Sequence, residues 1–295
     1  MKLKETKEIS FYGKLPLIFF LCCAVTVVIR AVQVFSFVDR ETGFLKCGSA
    51  LSVVLYLIIA VSCLFFAVTA FLSKETAKTE IKAEKNTLLS VLTCLMSFGF
   101  LYDSASSFIG SVDSAGSSSY GVSAFQSMML SGTLPQFLQS VFALLSAAYF
   151  LSFAKDMIKG TDKASKHKII AVAPVCWAGF RLVYRFVEQI SYIRVSELLL
   201  ELVLLAFTVM FFMAFAQVAS GVYVKNARWR IIGLGLPTAL ISLTLNIPRL
   251  AFVLVRGVDE LYVKYPFKVS DFIIALFIIV LIIRLTGVKK ESAEA

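Results

Sequence analysis

The chain has 295 residues, 59% hydrophobic and 16% charged, with a mean hydropathy of +0.85. Soluble domains are about 45–50% apolar and about 25% charged, so this composition excludes an ordinary soluble fold and points to an integral membrane protein. A net charge of +10 would suggest nucleic acid in a soluble protein; here the basic residues fall between apolar segments, as membrane topology requires, and no nucleic-acid partner is expected.

In chain order, Lys2, Lys4, Lys7 and Lys14 precede an apolar run from Leu15 to Phe37. That run is too long for the core of a signal peptide and lacks a small-x-small cleavage site, so it reads as an uncleaved first span. Further spans are predicted at 49–72, 87–110, 134–154, 168–190, 196–219, 231–256 and 271–287. Each can cross a hydrocarbon core of about 30 Å at about 1.5 Å per residue. The expectation is an all-α polytopic transmembrane helix bundle of eight spans, one integral membrane domain over 1–295.

The basic residues orient it. With the N-terminus inside, the N-terminal segment, the stretches 74–85 and 155–168, the stretch 225–230 and the C-terminus hold 19 of the 29 Lys and Arg, whereas the outer loops hold 6. That asymmetry predicts both termini on the cytoplasmic side of the cell membrane. Lys-rich stretches 73–86 and 155–168 read as helix extensions beside an anionic leaflet, each basic residue contributing about 1 kcal/mol. The longest loop, 111–132, lies outside, has no Lys or Arg and carries eight serines. Its Ser117-Ser118-Ser119 run reads as a flexible linker, 124–130 is apolar enough for a short interfacial helix, and the loop reads either as a plain linker or as a lid over an outer cavity.

Enzyme chemistry finds little support. Of six cysteines only Cys47 lies in an outer loop, and no metal-type or CxxC spacing occurs, so neither a disulfide framework nor a zinc site is expected. The one histidine, His167, sits at a cytoplasmic boundary, and neither GxSxG nor a P-loop is present. No cofactor is implied.

The unusual feature is charge within the spans, concentrated between Lys168 and Ser220. At about 100° per residue, Trp177, Arg181, Tyr184, Arg185 and Glu188 share one face, and Glu197, Glu201, Leu204 and Thr208 share another. Folding that hairpin would set two guanidinium groups opposite three carboxylates. Elsewhere, Arg30 shares a face with Thr26 and Gln33, Asp103 lies on a small-residue stripe with Ser106, Ser107 and Gly110, and Arg249 shares a face with Ser242 and Asn246. All of these fall in the outer half of the bilayer. Each charge at mid-membrane costs about 2.5–3.5 kcal/mol on the insertion scale, and such groups normally line a bundle interior or a wet cavity. The candidate ligand-binding residues are therefore Arg30, Asp103, Arg181, Tyr184, Arg185, Glu197, Glu201, Asn246 and Arg249.

Val-Asp or Val-Glu recurs at 38, 112, 187 and 258, each time at an outward tip and each time after a deep ionisable residue. A period of two spans implies four tandem helical hairpins; chance among common membrane residues explains the pattern equally well. Phe37-Val-Asp-Arg-Glu-Thr-Gly-Phe44, directly after the arginine-bearing first span, resembles a loop in uncharacterised multi-pass membrane proteins of Gram-positive bacteria. The resemblance covers about the first 50 residues; it implies a bacterial cytoplasmic membrane and no activity.

Two functional classes follow. In the first, a non-enzymatic module binds a small polar or anionic ligand in an outward-facing cavity, as a transporter or a sensor. In the second, the chain is a structural subunit whose buried charges hold a membrane complex together. An intramembrane enzyme ranks below both, and beyond the lipid bilayer no protein partner is implied.

Overall fold

A computed structural model describes residues 2–37, 50–72, 86–115, 128, 132–160, 168–187, 195–220, 227–256 and 267–294. The outer-loop Val-Asp pairs at 38 and 258, the octapeptide 37–44 beyond Phe37, the segment 124–130 beyond Met128, Cys47, His167 and Glu188 lie outside them.

The described chain is all-helical. Its helices are α1 (Lys2–Val32, continued by a π-helical turn at Gln33–Phe37), α2 (Ala50–Leu72), α3 (Thr87–Ala115), α4 (Thr133–Lys159), α5 (Ala173–Val187, entered through a 3-10 turn at Ile170–Val172), α6 (Val195–Ala219), α7 (Ala227–Arg256) and α8 (Val269–Glu294). Seven of them are long and apolar enough to cross a membrane, from Leu15–Phe37 through Trp229–Val255. The chain is thus a membrane-spanning helical protein. The helices outrun the predicted spans at several ends: α1 begins within the basic segment and α4 continues to Lys159. Bilayer thickness limits the apolar run, not the hydrogen-bonded helix, which stops where capping chemistry stops it.

Those stops are local. Asn86 accepts the Leu89 backbone N–H on its Oδ1 at 3.1 Å and so caps α3. Gly132, with φ 76°, precedes α4, and Gly160, with φ 66°, closes it by donating its N–H to the Asp156 carbonyl. A left-handed residue at each of these ends suits glycine. Pro135 and Pro174 sit in the first turns of α4 and α5, where a missing N–H leaves no helix bond unmade.

The chain forms two compact units, Met1–Leu72 with Gly235–Ala295, and Ser73–Leu234. The chain passes from one to the other within α7. In the first unit, α1 and α2 run antiparallel, with Phe19 against Phe66 near one end and Gln33 against Ser52 near the other. α1 and α7 run parallel, tied by a 2.9 Å Thr244–Thr26 hydroxyl bond and by Phe35 against Phe252. α7 and α8 run antiparallel: Ser242 Oγ donates to the Asp271 carbonyl, and Asn246 Oδ1 accepts the Lys268 N–H.

In the second unit, α3 and α4 are joined by a ladder of serine hydroxyls. Ser90 donates to the Ala154 carbonyl at 3.1 Å, Ser97 to Ala147 at 2.8 Å and Ser104 to Ser140 at 2.9 Å, and Ser140 returns a bond to the Ser104 carbonyl. Each step of seven up α3 is a step of seven down α4, so the helices are antiparallel in a heptad register. Small side chains let the backbones approach closely enough for hydroxyl-to-carbonyl bonds. Below this seam lies an aromatic core: Phe100 stacks on Phe150 at 5.5 Å, Trp177 stands edge-on to Phe100 at 4.7 Å, and Phe212 of α6 closes on all three.

Candidate functional site

Six of the nine candidate residues belong to the second unit and three, Arg30, Asn246 and Arg249, to the first.

The larger cluster centres on Asp103 of α3. Its Oδ2 accepts two neutral N–H donors, Trp177 Nε1 at 2.6 Å and Gln139 Nε2 at 3.0 Å. Gln139 also lies 2.9 Å from Ser107 Oγ. The register of the serine ladder causes this meeting, because it sets Gln139 opposite Asp103 just beyond the Ser104–Ser140 rung. Trp177 is fully buried, and its ring plays two parts. Its N–H edge faces the carboxylate, while the Arg181 guanidinium carbon lies 5.2 Å from a ring centroid. An indole suits both, since its N–H end is electropositive and its face electronegative. Trp177 and Arg181 are one helical turn apart, so the shared face expected from the sequence is the face that does this.

One turn further along α5, Arg185 reaches across to α6 and pairs with Glu201 Oε2 at 3.4 Å. Across the central hairpin Arg185 meets Glu201, while the Arg181 guanidinium stands over the indole. The Arg185 and Glu201 side chains are 22% and 13% exposed, so neither is fully buried. Tyr184 packs its ring beside Gly132, where a Cβ would stand 3.2 Å from two ring carbons. Glu197 lies in the first turn of α6, and its side chain is outside the described residues.

In the first unit, Arg30 is 2% exposed and Arg249 5%. Arg30 donates from Nη1 to Gln33 Oε1 at 2.8 Å, and Gln33 passes its own N–H on to Ser52 Oγ at 3.3 Å. Gln33 opens the π-helical turn, a wider winding that recurs near functional and strained positions. Asn246 donates to the Ser242 carbonyl and accepts the Lys268 N–H at the start of α8. Its amide thereby satisfies a backbone donor that the helix itself leaves unpaired.

The sequence reading does not reach Gln139 or the donor role of Trp177. The seven-residue recurrence of Ser90, Ser97, Ser104 and Ser111, facing Thr133, Ser140, Ala147 and Ala154, would have set the register and brought Gln139 to Asp103. Among the described residues, no three His, Cys, Asp or Glu side chains gather as a metal-holding group. Compared with protein-family models, with curated proteins and with solved structures, the chain matches none.

Proposed function

We propose that the chain is a non-enzymatic eight-span protein of the cytoplasmic membrane, with four tandem helical hairpins and both termini inside. On this reading α8 supplies the eighth span, and the α3–α6 cluster binds a small polar or charged ligand from an outward-facing cavity, as a transporter or a sensor. The observation that carries it is the chain Gln139–Asp103–Trp177–Arg181, with Arg185–Glu201 beyond. It sets a carboxylate, two guanidiniums and a second carboxylate within spans long enough to cross a membrane. Holding bundles together does not demand so many ionisable groups, each costing about 2.5–3.5 kcal/mol at the helix centre.

The structural-subunit reading draws on a different observation. Asn246 and the serine ladder are polar side chains whose partners are backbone groups of neighbouring helices, an architectural use. Cysteine accessibility separates the two. In a cysteine-free background, Tyr184→Cys and Gln136→Cys should react with a membrane-impermeant thiol reagent added from outside. Complete protection of both positions would favour the structural subunit.

A further inference from the structure

The Asp103 carboxylate is bound on one side only. Both of its side-chain hydrogen bonds end on Oδ2, both donors are neutral, and no ion pair involves it among the described residues. The nearest fixed cation on the same indole, Arg181, faces the ring rather than the carboxylate. Oδ1 is left without a hydrogen-bond partner among the described residues, on a side chain that is neither fully buried nor fully exposed. A second acceptor nearby is in the same condition. Gln136 Oε1 is buried and has no partner among the described residues, and its amide nitrogen lies close to Gly110 on α3. In the antiparallel register Gln136 stands roughly 8–10 Å further out along the α3–α4 seam than Asp103. Ser104, Ser107 and Ser140 carry hydroxyl oxygens along this stretch of the seam.

A carboxylate within a span, met only by neutral donors, calls for a positive charge from elsewhere. We infer that the outer half of the α3–α4 seam binds a monovalent cation, an alkali ion or the ammonium group of an amine, with Asp103 Oδ1 as its charged ligand and Gln136 Oε1 on its route in. This deepens the ligand-binding reading by naming the charge and chemistry of one end of the ligand, and it rests on that reading only for access from outside. Two features suit such an occupant. Oxygen acceptors and hydroxyls replace a cation's hydration, and the Trp177 and Gln139 donors fix the carboxylate so that Oδ1 need not reorganise on binding.

The chain carries its own reporter. There are two tryptophans, Trp177 and Trp229, so Trp229→Phe leaves Trp177, bonded to Asp103, as the only indole. The full-length W229F protein, in lipid nanodiscs, is titrated with sodium chloride, potassium chloride or methylammonium chloride. Chloride and ionic strength are held constant with N-methylglucamine, whose bulk keeps it out of the seam. The expected result is a saturable shift in Trp177 emission with one or more of these probes, abolished by Asp103→Asn in the same background. Response to sodium or potassium alone assigns an alkali ion, and response to methylammonium assigns an amine. Emission that is the same in all four salts, or a shift that survives Asp103→Asn, overturns the inference. Should D103N fail to fold, the W229F titration still decides through its saturation or its absence. External labelling of the Gln136→Cys and Tyr184→Cys proteins, combined with no cation response, would overturn this inference while leaving the outward-facing cavity standing.

Discussion

Trp177 shows what one side chain can hold together. It touches Asp103 through its N–H, Arg181 through its face, and Phe100 and Phe212 through its edges. Trp177→Phe keeps a ring for the aromatic core and removes the donor. A hydrogen bond to a charged group contributes about 1.5–3 kcal/mol, so W177F should be destabilised by about that amount in a detergent thermal-stability assay. An unchanged midpoint would mean the 2.6 Å bond contributes nothing. The Arg185–Glu201 pair is a weaker device. Neither side chain is fully buried, and partly exposed pairs typically contribute about 0.2–1 kcal/mol. Arg185→Gln and Glu201→Gln should each destabilise slightly, and the double variant should lose less than their sum. Strict additivity would dissolve the pair.

At the scale of elements, the α3–α4 seam is the most constrained packing in the second unit. Hydroxyl-to-carbonyl bonds between membrane helices average about 0.6 kcal/mol each, so Ser97→Ala should be nearly silent. Ser97→Leu is a different change. It forces the two backbones apart at a rung where the serine oxygen lies 2.8 Å from a carbonyl, and overpacking of this kind costs about 1–3 kcal/mol or more. Loss of Asp103–Gln139 proximity should follow, because the same register delivers Gln139. A Ser97→Leu protein as stable as Ser97→Ala would show that the seam is loose. Gly132 is a second test of element geometry. Its φ of 76° and the adjacent Tyr184 ring make Gly132→Ala strained twice over. The left-handed conformation alone costs about 1–2 kcal/mol for a residue with a Cβ. An alanine there that leaves the thermal midpoint unmoved would mean that α4 starts elsewhere.

At the scale of the whole molecule, the division of basic residues among the loops sets the expected orientation. The 19-to-6 split of basic residues predicts that reporter fusions at Lys78, Lys163 and Arg228 are cytoplasmic and that fusions at Ser118 and Val263 are external. The Ser118 fusion is the sharpest, since its loop holds no basic residue to retain it inside. A cytoplasmic signal there would invert the orientation and place the Asp103 cluster in the inner half of the membrane. Within the second unit, Arg181→Lys should shift the Trp177 emission of the W229F protein through the stacked guanidinium, and an unmoved emission would mean that the charge and the ring do not sense each other.

By itself the sequence determined the membrane class, the positions of seven helices able to span, and the charged face of α5. All of these are local properties: an apolar run must match the bilayer, and residues four apart on a helix must share a side. Only the tertiary structure decided which charge meets which partner. That Asp103 is held by Gln139 and Trp177, that Glu201 pairs with Arg185, and that Asn246 supports the start of α8 depends on how neighbouring helices are rotated and slid against one another. Packing of small side chains such as Ser90, Ser97 and Ala147 sets the register that brings Gln139 to Asp103, about two to four turns away. The hydrophobic effect, which would make such a contact surface visible as an apolar stripe in a soluble protein, is absent between helices in lipid. The contacting face is therefore written in serine and alanine, residues too common in membrane spans to reveal their partners until the helices are seen together.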